Sequence, residues 1–71
     1  MKIRKDDIGK SVLVKFDDVG RIEGMLIDIV EHSVPHNFKE AKVFFPNDKT
    51  IDDVEFCQIV EIGKRVQINI P

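Results

Sequence analysis

Two histidines and a single cysteine are the residues of this 71-residue chain best suited to reactive chemistry. His32 and His36 stand four apart, a spacing that on a helix places two imidazoles on one face for zinc. Pro35 lies between them and breaks such a helix, and no glutamate follows His32 in the place a general base would take. The pair reads as two loop histidines, and neither a metal nor a cofactor is expected. Cys57 needs a neighbouring base to act as a nucleophile. No histidine lies near it in sequence, so it reads as a small buried apolar residue. The pairs Asp17-Asp18 and Asp52-Asp53 do not converge as paired carboxylates, because neighbours on a strand point to opposite faces. They read as turn and edge residues. The four glycines lack the spacing that cradles phosphate. No catalytic residue is assigned, and the chain is not expected to be an enzyme.

The charged residues suggest a different chemistry. Lys2, Arg4, Lys5, Lys10 and Lys15 face only Asp6 and Asp7 in residues 1–16, and Lys64 and Arg65 lie near the other end. Residues 17–61 carry four cations against eleven acids, for a net charge of −2 over the whole chain. Basic ends flank an acidic middle. If the ends meet, Lys2, Arg4, Lys5, Lys64 and Arg65 form one patch that could touch a phosphate backbone. The acidic middle opposes this, and no aromatic stacking platform lies among them. Nucleic-acid contact is therefore the alternative reading, and charges that merely keep the domain in solution are the plain one.

The elements that position these residues follow from a two-residue hydrophobic period, the signature of strands. At 42% hydrophobic and 34% charged the chain is globular rather than disordered. In residues 11–16, Val12, Val14 and Phe16 share one face. Asp17-Asp18-Val19-Gly20 is a hairpin turn. A second strand over 21–30 has Ile22 and Leu26 in one phase and Met25, Ile27 and Ile29 in the other. Gly24 is the expected corner at which that strand bends. Pro35, Ser33 and Asn37 predict a long loop over 31–40. A third strand spans 41–45, with Val43 and Phe45 inward and Phe44 outward. The turn 46–49, a short strand near 50–53 and core residues from 54–62 (Val54, Phe56 or Cys57, Ile59, Ile62) follow. Residues 64–71 alternate again and predict an extra C-terminal strand. The expected fold is all-β, a small five-stranded barrel in a single domain over 1–71, with its core at about 8–62.

Ile8-Gly9-Lys10, the run from Val12 through Val14, Phe16, Asp17 and Asp18 to Gly20, and Glu23-Gly24 resemble the opening of SH3-like barrels of the tudor-like kind. Val43-Phe44-Phe45-Pro46-Asn47-Asp48, with Val54 and Ile59-Val60-Glu61-Ile62, resembles their second half. The chain is also similar to short SH3-like proteins of phages and mobile elements. The tudor-like resemblance implies a methyl-cation cage of aromatic rings. This chain has no Trp or Tyr and five Phe, of which Phe16 and Phe45 are assigned to the core. Gly9 to Gly24 with Leu26 is similar as well to the first half of Sm-like RNA-binding barrels, although the helix that opens that family is missing here.

A chain of this length buries only roughly 60% of its unfolded surface, which favours association. Val34 and Phe38 in the loop, Phe44 on the outward phase, and Val66, Ile68 and Ile70 in the tail are the expected partner-binding residues, the last three through strand pairing. The expected function is a non-catalytic interaction module that binds a protein partner or a second copy of itself. No apolar run reaches the roughly 18 residues that a membrane helix needs. Residues 1–7 lack the apolar stretch of a signal peptide, and one cysteine allows no internal disulfide. A cytoplasmic location is expected.

Overall fold

A computed structural model describes residues 2–66. A 3-10 turn, Lys5–Asp7, leads into strands β1 (Lys10–Phe16), β2 (Gly20–His32), β3 (Phe38–Phe45) and β4 (Thr50–Glu55). A second 3-10 turn, Phe56–Gln58, then leads into β5 (Ile59–Arg65). All five strands form one antiparallel sheet in the order β4-β3-β2-β1-β5. β4 and β5 are its two edges and do not pair, so the sheet is not closed.

The hairpin between β1 and β2 forms where Asp17 and Asp18 favour a turn and Gly20, at φ +82°, takes a conformation that side chains disfavour. Period-two burial then places Val12 and Val14 of β1, Leu26 of β2, and Ala41, Val43 and Phe45 of β3 in one core with Val54 of β4 and Ile59 of β5. Phe16 packs against this core, its ring 5.8 Å from that of Phe45. Ile3 is buried there too, so the core begins earlier in the chain than residue 8. Leu26 is fully buried, which is worth about 1.5–3 kcal/mol for a side chain of this kind.

β2 carries a bulge three residues after Gly24. The ladder pairs Leu26 with Val43 and Asp28 with Lys42, leaving Ile27 as an extra residue. Such a bulge shifts the side-chain phase by one, so Leu26 before it and Ile29 after it both face the core. Gly24 has a different role. A Cβ built there would lie 2.5 Å from Val43 Cγ1 and 2.8 Å from the Phe44 carbonyl oxygen, so the glycine lets β3 pack closely.

Three other expectations are corrected. The loop over 31–40 shrinks to 33–37, because β2 runs on to His32 and pairs it with Phe38. Cross-strand contacts stabilise this extension: Lys39 Nζ lies 3.4 Å from Glu31 Oε1, and the His32 and Phe38 rings stack at 4.4 Å. Lys64 and Arg65 finish β5, which also carries Ile62, rather than opening a strand of their own, and positions 67–71 of the expected strand lie outside the described residues. Cys57 is exposed rather than buried, since the 3-10 turn directs Phe56 to the core instead.

Gly24→Ala should destabilise the domain by about 1–3 kcal/mol, as forced overpacking does, because a backbone carbonyl cannot yield as a side chain can. Urea denaturation of the two proteins measures the difference, and equal midpoints would refute the close-packing role.

Candidate functional site

Strand alternation that fills the core also decides what the sheet presents outside. Ser11 pairs with Met25, Met25 with Phe44 and Phe44 with Ile51. Paired residues share a face, so these four form a row across β1, β2, β3 and β4 on the outer side. Met25 and Phe44 are half-buried, whereas Ile51 is 55% exposed. A groove of about 140 Å³ opens along this row, lined by Ser11, Glu23, Gly24, Met25, Phe44, Pro46 and Val66. Val66 is 41% exposed at its rim. The next row along the strands is charged: Lys42 stands between its partners Asp28 and Asp53.

Of the expected partner-binding residues, the structure therefore brings Phe44 and Val66 together. Val34 and Phe38 lie elsewhere, on the arm where β2 and β3 extend together. Val34 is 83% exposed. Phe38 stands six residues from Phe44 along β3, about 20 Å at a strand's rise, and is partly covered by the stacked His32 ring. His32 Nε2 lies 2.8 Å from Glu40 Oε1 but off the line of a formed hydrogen bond. An open hollow of about 500 Å³ beside this arm is lined by Glu31, His32, Ser33, Asn37, Phe38 and Lys39. Ile68 and Ile70 lie outside the described residues. Met25 belongs to the outer row although its place in an apolar run gave no sign of it; its pairing with Phe44 is the feature that reveals it.

The basic ends do meet. The Arg65 guanidinium donates to the carbonyl oxygens of Asp6 and Ile8, both at 2.8 Å, and the Val66 N–H donates to the Gly9 oxygen at 2.8 Å. Asp7 secures the same turn by accepting from the Arg4 N–H and from Lys10 Nζ, each at 2.9 Å. The clasp holds the end of β5 against the first 3-10 turn. Arg65 is engaged with backbone oxygens, while Lys2, Arg4, Lys5 and Lys64 are exposed.

The reactive side chains are not gathered in this way. Cys57 Sγ lies 3.4 Å from Glu55 Oε2, and that carboxylate pushes the thiol's pKa up, favouring the protonated form. Lys15, Asp17, Glu55 and Gln58 line the hollow beside it. Among the described residues no group of three or more His, Cys, Asp or Glu converges to hold a metal ion, and no helix is long and apolar enough to cross a membrane. Comparison of the chain with protein-family models, curated proteins and solved structures finds no match.

The clasp carries a pH dependence of defined sign. The Arg4 N–H, and then the Lys10 ammonium, hold the Asp7 carboxyl below its ordinary value of 3.8. A lowered carboxyl stabilises the fold above its unfolded pKa, and this is lost as pH falls through the folded value. Acidification below pH 3.8 should therefore loosen the Arg4 amide, and Asp7→Ala should release it at neutral pH. Hydrogen exchange at Arg4 reports both; exchange insensitive to acid and to the substitution would contradict the role given to Asp7.

Proposed function

We propose that this chain is a non-catalytic interaction module with an SH3-like barrel arrangement, and that it associates with a second copy of itself through the outer face of the sheet. The strand order, the long bulged β2 and the 3-10 turn between β4 and β5 support the SH3-like part. The observation that carries the association is the row Met25, Phe44 and Ile51, an apolar band across three adjacent strands. Water is a poor neighbour for such a band, and contiguous apolar patches mark interaction surfaces. A two-fold interface needs a patch that complements itself. The adjoining row supplies this, since Lys42 of one copy can face Asp28 or Asp53 of the other. The full chain should show reversible, concentration-dependent association by sedimentation. Phe44→Glu should abolish it while leaving the far-ultraviolet spectrum unchanged. A chain that stays monomeric at every concentration, even when its tail is altered, would refute this reading.

A second reading, contact with nucleic acid, is favoured by the clasp that assembles Lys5 and Lys64 at one end of the sheet. Single-stranded or duplex nucleic acid should then bind at low salt and weaken steeply as salt rises. Lys5→Glu with Lys64→Glu should remove the binding. An absence of binding at low salt in a titration followed by fluorescence anisotropy would end this alternative.

A further inference from the structure

The apolar band on the outer face is bordered by charge on both sides. Met25 and Phe44 lie side by side on β2 and β3. Two residues along β2 from Met25, Glu23 stands in a row with Leu13 and Glu61. Two residues along β3 from Phe44, Lys42 stands between Asp28 and Asp53. Glu23, Glu61, Asp28 and Asp53 are exposed, and Lys42 is half-buried. Four carboxylates against one ammonium therefore border the band. Asp28 Oδ1 is engaged by the Ile29 N–H at 2.8 Å, leaving Oδ2 for a partner. The rows beyond offset each other, since Lys15 pairs with Arg21 and Glu40 with Glu55.

The groove in the band has the size of one side chain. It measures about 140 Å³ and is lined by Gly24, Met25, Phe44 and Pro46 together with Glu23. An apolar cavity of about 150 Å³ holds a group the size of benzene, so the groove suits one leucine, methionine or phenylalanine side chain. Strand spacing sets what can flank that anchor. Two residues of strand cover about 7 Å, so each charged row lies about 7 Å from the band. In an extended segment, residues two apart project to the same side at the same spacing. A segment laid along β2 and β3 with its anchor in the groove sets the residues two before and two after it over Glu23 and over Asp28 or Asp53. Attraction at both places calls for Lys or Arg. A second copy brings the same four acids and one lysine, so its charges match this border less well.

We propose that the outer face is a docking site for an extended basic segment of a partner protein. One apolar side chain fills the groove between Met25 and Phe44. A Lys or Arg two residues to either side of it is held by Glu23 and by Asp28 or Asp53. The segment takes the face through which two copies pair, so it competes with pairing. That competition rests on the self-association proposed above; the docking itself does not.

A fluorescently labelled peptide with a central leucine, a lysine two residues to either side of it, and serine or threonine elsewhere tests the docking. Its anisotropy is read with the full chain at a concentration where sedimentation finds a monomer. The peptide should bind, and binding should weaken as salt rises. Serine in place of the leucine should weaken it at least about tenfold, as loss of one buried leucine implies. Glutamates in place of the lysines should abolish it. In the chain, Glu23→Gln with Asp53→Asn should weaken binding about threefold or more, as loss of two exposed ion pairs implies. Both side chains are exposed, so the far-ultraviolet spectrum should not change. Absence of binding, equal binding of the glutamate peptide, or an unchanged affinity in the double variant overturns the docking site. If the chain self-associates but takes no peptide, the docking falls and the self-association reading stands. If the peptide binds as expected and the chain stays monomeric at every concentration, the docking stands and the self-association reading falls. If both occur, the peptide should dissociate the paired chains, and pairs that survive saturating peptide overturn the competition.

Discussion

The passage of β2 over β3 constrains most of what this domain can be. Gly24 lets the two backbones approach until Val43 and the Phe44 carbonyl fill the space a side chain would take. Two residues later Leu26 enters the core, and the extra residue at Ile27 resets the alternation so that Ile29 enters it as well. Without the reset, the second half of the strand would turn its apolar phase to water and its charged phase inward. One long strand thereby serves two stretches of core. The remaining strands take their places from it, β1 pairing with its first half and β3 with its second.

The same pleat has a cost on the other side of the sheet. Among the described residues nine buried apolar side chains make up the core, a small number for a domain that no disulfide reinforces. Stability of small domains is a narrow difference between large terms, so apolar residues outside the core are tolerated only where something covers them. Met25, Phe44 and Ile51 form a band that cross-strand packing covers only in part. The charged row of Asp28, Lys42 and Asp53 beside it limits how a second surface can settle there, favouring register over indiscriminate sticking. Recognition in this reading is a by-product of how the core is filled, not a separate device built on loops.

Much of this was legible from residue order, and the failures have physical causes. Val12, Val14, Val43 and Phe45 alternate cleanly with polar residues, so their inward phase could be read directly, as could the outward phase of Phe44. The run from Met25 to Val30 is apolar in both phases, so periodicity alone does not place the bulge at Ile27 and points only to Gly24. Sequence alone makes the loop too long because Glu31, His32, Phe38 and Lys39 carry no strand signal of their own. They are ordered by an ion pair and a ring stack that exist only once the two strands are opposed. Average behaviour places Cys57 inside, whereas the 3-10 turn gives that position to Phe56. The outer band was half visible: Phe44 stood out, but Met25 and Ile51 join it only through register, which depends on the bulge.

The Arg65 clasp links positions 57 residues apart along the chain. A contact of such separation closes nearly the longest loop available to the polypeptide, and loop closure of this kind is unfavourable until the intervening residues have condensed. The guanidinium can therefore reach its two carbonyl oxygens only after the sheet between them has assembled. A spectroscopic probe on the first 3-10 turn would report the completion of folding rather than its onset, and early opening of β4 at the far edge would leave that probe silent until β5 itself detached.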